Sequence, residues 1–159
     1  MMKLIGSLLL ISAGAVWGVG RSLELRERVS LLTQLEVLLQ WLMTEIPYSA
    51  RPLPELIRAS DSPFCRAAVK EPGFCTDPCG ALAEAGAKLL HDEKDRELFR
   101  DFAAGLGASG TDGQLGHLRL CMARSRQHLT EAREACHERS RLYIGLGVLF
   151  GLGAWVMVL

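Results

Sequence analysis

The sequence predicts an all-α protein, an antiparallel bundle of about six helices whose long first and last helices continue into transmembrane spans. Helix-type periodicity fills the middle of the 159-residue chain, and no convincing strand alternation interrupts it. Both ends, Leu4–Gly20 and Leu142–Leu159, lack charged side chains. The 18 basic and 18 acidic residues lie almost entirely between these ends and balance. A nucleic-acid partner therefore has no electrostatic basis, because binding phosphates requires a basic face.

The first helix is predicted from Lys3 to Ile46, since no proline precedes Pro47. Its apolar side chains recur at three- and four-residue steps and form one stripe of leucines, which predicts a buried face. Pro47 and Pro52 then mark a turn. The leucines at the centre of this stripe are Leu31, Leu35, Leu38 and Leu42.

Four shorter helices are predicted next, over residues 53–60, 63–70, 77–90 and 92–107. Asp77 followed by Pro78 is typical of an N-cap with proline in the first helical position. Asp92 is expected to cap the next helix, which ends near Gly107. Its predicted apolar face consists of Leu98, Phe99, Phe102 and Leu106.

The last helix is predicted to run unbroken from Asp112 to the C-terminus. Thr111 and Gln114 have the spacing of a capping box, in which two side chains satisfy free backbone N–H groups. Heptad-like spacing of three and four residues follows and predicts a second buried stripe. That stripe comprises Leu115, Leu118, Met122, Ser125, Leu129, Ala132, Cys136 and Tyr143.

The two apolar ends define three regions: a transmembrane helix over residues 3–20, a helical domain over 21–141 and a second transmembrane helix over 142–159. A bilayer core needs about 17–25 helical residues, and both ends meet that length. Each contains a Gly-xxx-Gly pair, which allows close packing of helices in lipid. The residues expected to pack in the membrane are Gly14, Gly18, Gly147 and Gly151.

A cleaved signal peptide is the alternative for the N-terminus, with residues 4–12 as its apolar core and Ala13-Gly14-Ala15 as its cleavage site. The charges that flank the apolar ends oppose this alternative, because basic residues are retained on the cytoplasmic side. Arginines follow the first end at positions 21, 26 and 28 (Arg28 being the last), and they precede the second end at positions 133, 139 and 141. They predict a cytoplasmic middle with both termini across the membrane. The odd set of five cysteines, which contains no C-x-x-C pair, is consistent with a reducing compartment.

One hypothesis for the last helix is a metal site, because His117, Cys121 and His128 share one side of it with Arg124. The alternative is that Cys121 packs beside the apolar stripe and the histidines are solvated, and no second ligand pair supports the metal. No nucleotide-binding loop or nucleophile elbow is present. We therefore expect no catalytic residue, no metal and no cofactor.

The densest polar constellation is Thr44–Glu55. Glu45 falls just beyond the leucine stripe, so its carboxylate is expected to be half-buried and to need a partner. The candidates are the Tyr48 hydroxyl, Arg51 or a backbone N–H. We expect a clamp that fixes the Pro47–Pro52 turn, with direct contact to another protein as the alternative.

Three stretches of the chain form a recognisable series: Glu45-Ile46-x-Tyr48 with Pro52-Leu53-x-Glu55; Phe99-x-x-Phe102 with Leu106-Gly107, Asp112 and Gln114; and Leu146-Gly147 with Gly151. In this order, and together with the apolar ends, they resemble the stage III sporulation protein AB family, a membrane component of the endospore channel apparatus. The resemblance extends over nearly the whole chain. The segment Cys65–Cys79 departs from the family pattern, and no tryptophan lies near Leu82–Ala87.

The resemblance implies a non-enzymatic platform, similar to a cytoplasmic domain of the type II secretion and type IV pilus inner-membrane platform protein. It would lie in the mother-cell membrane around the forespore and be required for sporulation. The implied partners are an AA-type hexameric secretion-like ATPase and other stage III sporulation channel proteins. Several copies in one membrane would also allow a homo-oligomer. The implied clamp or contact residues are Glu45, Tyr48, Pro52, Glu55 and Gln114.

The sequence is also consistent with two other functions. A generic membrane-anchored helical scaffold would show two exposed helices and little else. A metal-responsive regulator would bind zinc stoichiometrically. A platform, in contrast, requires a compact multi-helix domain with a surface for its ATPase.

Overall fold

The computed structural model describes the backbone of residues 2–49 and 51–158, and the side chains of residues 23–49 and 51–138. Six α-helices and no strand occur in this part of the chain, which confirms the predicted all-α fold. Each predicted helix is present, with ends displaced by no more than about two residues, the usual uncertainty of helix boundaries. The helices are α1 (Met2–Tyr48), α2 (Leu53–Ala59), α3 (Pro63–Val69), α4 (Pro78–Leu89), α5 (Glu93–Gly105) and α6 (Thr111–Val158).

Local capping explains where the short helices begin and end. The Asp77 carboxylate accepts a hydrogen bond from the Gly80 N–H at 2.9 Å, and the Asp92 carboxylate accepts one from the Lys94 N–H at 3.0 Å. Both bonds satisfy N–H groups that have no partner within the helix. Gly107 follows α5 with φ of +77°, a left-handed conformation that favours glycine at a helix end.

The start of α6 differs from the predicted capping box. Thr111 is already helical, so it cannot be the residue that precedes the helix. The Gln114 side chain instead donates from Nε2 to the Ser109 carbonyl at 2.8 Å. Gln114 therefore stabilises this helix start by fixing the preceding loop rather than by bonding the backbone of Thr111.

The residues Arg28–Thr130 form one compact unit with its own core. Leu35, Leu38 and Leu42 of the predicted α1 stripe are buried in it, whereas Leu31 is half-buried. Most of the predicted α6 stripe is buried as well, whereas Leu115 and Cys136 are half-buried and Tyr143 lies outside the residues with described side chains. An aromatic group lies among them: the Phe64 and Phe99 ring centroids are 4.6 Å apart, and those of Phe99 and Phe102 are 5.3 Å apart. The most completely buried aliphatic side chains on the long helices are Leu32, Leu35, Leu38, Leu39 and Leu118.

Close packing of α4 on α5 depends on Gly86. A Cβ atom at this position would collide with the Phe99 ring. Glycine is therefore required here by space rather than by backbone conformation, since no positive φ occurs at this position. Gly116 on α6 offers the opposite environment, because a Cβ there would meet no atom within 4 Å.

The two ends of the chain, Met1–Glu27 and Glu131–Leu159, form a second compact unit. Among the helical residues with described side chains, no segment is long and apolar enough to cross a membrane. Both predicted spans, 3–20 and 142–159, lie outside those residues. The predicted membrane-packing residues Gly14, Gly18, Gly147 and Gly151 likewise lie outside them.

Candidate functional site

Asp95, on the inward face of α5, is the most deeply buried charged residue described. Its side chain is 1% exposed, yet it accepts hydrogen bonds from two other helices. Arg28 of α1 donates from Nε at 2.6 Å and from Nη2 at 3.1 Å, one bond to each carboxylate oxygen. His128 of α6 lies 2.8 Å away through Nδ1. We call Arg28, Asp95 and His128 the Asp95 cluster.

The Asp95 cluster joins three helices through one carboxylate. A buried charge is tolerated only when it is paired and hydrogen-bonded, and the two-pronged contact of Arg28 meets both conditions. The Arg28 guanidinium also lies 3.5 Å from the Asp92 carboxylate at the start of α5. Because Asp92 caps that helix, Arg28 contacts both the beginning and the interior of α5.

His117 and His128 are hydrogen-bonded, which corrects the expectation that these two histidines are solvated. His128 belongs to the Asp95 cluster, and its side chain is 19% exposed. His117 Nε2 lies 3.1 Å from the Asp101 carbonyl and therefore donates to it, since a carbonyl only accepts. Cys121 is buried beside the apolar stripe, as expected. Within residues 23–49 and 51–138, no group of three His, Cys, Asp or Glu side chains could hold a metal ion.

Two buried thiols and one half-buried thiol are poor nucleophiles and poor metal ligands in this environment. Burial raises the pKa of Cys65 to about 11 from 9.0, partly offset by a hydrogen bond to Ser60. Burial also raises the pKa of Cys121 and of Cys79. Since the thiolate is the reactive form, these three residues remain protonated at neutral pH. Their environment favours packing over chemistry.

The junction between α1 and α2 contains most of the predicted contact residues. Tyr48 ends α1 and is 88% exposed, and Glu55 is exposed in the first turn of α2. Pro52 is extended and precedes α2, which fixes where that helix begins. We call Tyr48, Pro52 and Glu55 the junction surface. It presents an aromatic ring and a carboxylate to solvent.

Glu45 is half-buried near this junction, as its position on α1 predicted. Its backbone carbonyl accepts the Ser49 N–H at 2.8 Å. Its carboxylate makes no hydrogen bond or ion pair with a described residue, so the structure does not bring it to Tyr48 or Arg51. The clamp and the contact with another protein both remain predictions for Glu45.

Sequence reasoning missed the Asp95 cluster, although a signal for it exists. Asp95 precedes Leu98 and Phe99 by three and four residues and therefore shares their buried face. Arg28 precedes Leu32 by four and lies on the leucine side of α1 in the same way. A charged residue on each of two apolar faces predicts a buried pair between them.

Comparison with known families supports the resemblance stated from sequence. The model of the stage III sporulation protein AB family matches residues 3–66 and 80–159. The unmatched residues 67–79 fall inside Cys65–Cys79, the segment expected to depart from the family pattern. Searches of curated proteins and of solved structures gave no match. Because the family model covers nearly all of the sequence, the chain belongs to the stage III sporulation protein AB family, which has a role in sporulation.

Proposed function

We propose that this chain is a non-enzymatic membrane platform component of the channel apparatus between mother cell and forespore. It couples a cytoplasmic AA-type hexameric ATPase to other stage III sporulation channel proteins. The observation that carries this proposal is the family match, which includes both apolar ends and the helical domain. The compact unit Arg28–Thr130 supports a platform over a scaffold of two bare helices.

In this proposal the apolar ends anchor the protein in the mother-cell membrane, and the domain faces the mother-cell cytoplasm. The arginines that flank the two ends support this orientation. Cys75 provides a test because it is an exposed free cysteine. A membrane-impermeant maleimide should label Cys75 only after permeabilisation when the full chain is expressed in growing cells and these are converted to protoplasts. Labelling of intact protoplasts would reverse the orientation, and Cys75→Ser controls for signal from the other cysteines.

The junction surface is the proposed contact for the ATPase. Tyr48 combines a large apolar ring with a hydroxyl, the type of side chain that is enriched at protein interfaces. Glu55 adds a negative charge that suits a basic patch on the partner. One small domain offers at most about 800 Å² of contact area per partner, so the expected contact is weak and depends on several copies acting together.

Co-purification of the full-length protein from sporulating cells tests this contact. Glu55→Arg reverses an exposed charge and should reduce recovery of the ATPase severalfold without lowering the melting temperature. Glu97→Arg is the matched control, because Glu97 is an exposed glutamate on α5, away from the junction surface in sequence. Equal recovery in both variants would remove the junction surface from the proposal. Absence of any ATPase from the wild-type sample would favour the membrane-anchored scaffold.

A further inference from the structure

A groove in the compact unit Arg28–Thr130 is lined by side chains of α2, of α3 and of the residues next to them. Its volume is about 620 Å³, within the range of about 300–1,000 Å³ that is typical of binding clefts. We call it the α2–α3 groove. Its apolar lining includes Ile57, Pro63, Ala67 and Val69, the last of which is 40% exposed. Covering such a surface is favourable, because it removes apolar groups from water.

Three basic side chains line the α2–α3 groove, and no acidic side chain does. They are Arg58, Arg66 and Lys70, and all three are exposed. The whole chain is balanced, with 18 basic and 18 acidic residues, so the groove has a local excess of positive charge. Asp61 and Glu71 are near in sequence but do not line the groove, and Glu71 is paired with a lysine of α4 at 2.6 Å. The lining itself therefore contains nothing that cancels its charge.

The basic side chains of the groove are available to a partner. Arg66 and Lys70 make no ion pair with a described residue. The Arg58 guanidinium lies over the Phe74 ring, 5.2 Å from its centroid. This cation–π contact restricts the guanidinium without neutralising it. An anionic group that enters the groove can therefore approach these charges without breaking an ion pair.

We propose that the α2–α3 groove binds an acidic peptide segment of a partner protein, in which Asp or Glu residues flank an apolar side chain. The apolar side chain packs against Ala67 and Val69, where it is removed from water. The flanking carboxylates pair with Arg66 and Lys70. Arginine suits this role, because its guanidinium donates two parallel hydrogen bonds to one carboxylate. Charge complementarity and the apolar lining thus specify the two kinds of side chain that the segment contains.

The composition of the groove favours a peptide over other anionic partners. Sites for small molecules orient their ligand with a few precisely placed polar groups. In the α2–α3 groove the charges are instead carried at the ends of long, exposed side chains, which can adapt to a flexible segment. Anionic lipid surfaces are typically bound by clusters of about 4–8 Lys and Arg residues, whereas three line this groove. A concave apolar lining also matches an inserted side chain better than it matches a flat bilayer surface.

The groove is separate from the proposed ATPase contact, because the junction surface contributes no residue to its lining. It also crosses the boundary of the family match. Arg58 and Arg66 lie within the matched residues, whereas Val69 and Lys70 lie in the unmatched segment 67–79. We therefore expect the bound segment to belong to a partner of this particular chain rather than to one shared by the whole family.

Selection from a random peptide library tests the proposal, because it assumes neither a partner nor the ATPase contact. The full-length protein, held in nanodiscs of zwitterionic lipid, is offered phage-displayed random dodecapeptides. The recovered peptides should be enriched in Asp and Glu beside an apolar residue, and they should not be recovered on Arg66→Glu. Absence of enrichment, or recovery of peptides without acidic residues, would overturn the proposal.

Fluorescence polarisation with one selected peptide measures the contribution of the groove. Arg66→Glu combined with Lys70→Glu should weaken binding at least about tenfold, the change that 1.4 kcal/mol of lost association gives. Arg119→Glu is the matched control and should leave binding unchanged, because Arg119 is exposed on α6, lies outside the groove and makes no ion pair with a described residue. Val69→Ser should weaken binding severalfold by removing apolar contact. Equal losses in the groove variant and in Arg119→Glu would show that the peptide responds to net charge rather than to the groove.

A soluble lipid distinguishes the proposed peptide from a membrane headgroup. Dioctanoyl phosphatidylglycerol, below the concentration at which it forms micelles, should displace the labelled peptide no better than dioctanoyl phosphatidylcholine does. The same peptide with glutamine in place of its acidic residues should bind at least about tenfold more weakly, and circular dichroism should show that all variants remain folded. Stronger displacement by phosphatidylglycerol that is lost in Arg66→Glu would assign the groove to a lipid headgroup and overturn the proposal.

Discussion

The part of α1 from Arg28 to Tyr48 and the part of α6 from Thr111 to Thr130 are alike inside and different outside. Each buries apolar side chains at steps of three and four residues in the same core. Outside, the charged residues are similar in number but differ in exposure. Arg28, Glu36 and Glu45 of α1 are half-buried, whereas Asp112, Arg119, Arg124 and Arg126 of α6 are exposed. The charges of α1 therefore lie at the border of the core, where Arg28 pairs with α5 and Glu36 with α6, whereas those of α6 lie on its exposed face.

The largest expected effect concerns the buried faces that α1 and α6 share, because both helices contact α5 through Asp95. Asp95→Ala should lower the free energy of unfolding by about 2–3 kcal/mol, because it removes the charged hydrogen bonds of the Arg28 guanidinium, which keeps only its longer contact with Asp92. Denaturant unfolding of the full-length protein measures this loss. Asp101→Ala on the same helix is the matched control, since its pair with Arg124 at 3.4 Å is exposed and should cost no more than about 1 kcal/mol. Equal losses would contradict the role of the Asp95 cluster.

Glycine substitutions sharpen the contrast between packed and open helix faces. Gly86→Ala should destabilise the domain by about 1–3 kcal/mol, because the new Cβ collides with Phe99. Gly116→Ala on α6 should stabilise it by about 0.5–1 kcal/mol, since the position is open and alanine favours the helix. Opposite shifts in melting temperature are the expected result. A rise in melting temperature for Gly86→Ala as well as for Gly116→Ala would show that the α4–α5 contact is looser than described.

Alkaline pH provides the smallest effect and acts on buried thiols, which α1 lacks. Cys121 is buried on α6 beside its apolar stripe, and Cys65 is buried on α3. Burial raises the pKa of Cys121 and of Cys65 above 9.0. The thiol form is thus favoured by folding, so stability is complete below pH 9 and falls as the pH rises towards about 11, the pKa of Cys65. We expect a loss of roughly 1 kcal/mol by pH 10. Melting curves of Cys65→Ala beside wild type should show a weaker pH dependence in the variant.

The helices could be predicted almost to the residue because their boundaries are set by local chemistry. Asp77 with Pro78, Asp92 and Gly107 each act on neighbouring backbone groups, so their effect is visible in a few residues of sequence. The sequence predicted correctly that Gln114 stabilises the start of α6, but the predicted bond to the Thr111 backbone was wrong. Gln114 bonds the Ser109 carbonyl instead, and this choice depends on the conformation of the loop before the helix.

The Asp95 cluster was missed because it is made by the tertiary fold. Arg28 and Asp95 are 67 residues apart, and His128 is 33 residues beyond Asp95. From sequence, Arg28 was interpreted as one of several arginines that orient the chain in a membrane, a role that would leave its side chain in water. In the folded domain it is mostly buried, with 24% of its side chain exposed. Placement relative to the apolar stripe, rather than charge alone, distinguishes the two roles.

The Asp95 cluster also has a consequence for the order of synthesis. The ribosome makes α1 first and His128 about a hundred residues later, so the leucine face of α1 leaves the exit tunnel long before its last partner exists. Domains fold as units during synthesis, and this unit cannot close until most of Arg28–Thr130 has emerged. Arrested nascent chains that expose residues only up to Gly110 should therefore remain sensitive to protease, whereas those that expose residues beyond Thr130 should become resistant. The growing chain thus has an interval in which a chaperone or membrane insertion factor would encounter an unprotected helix.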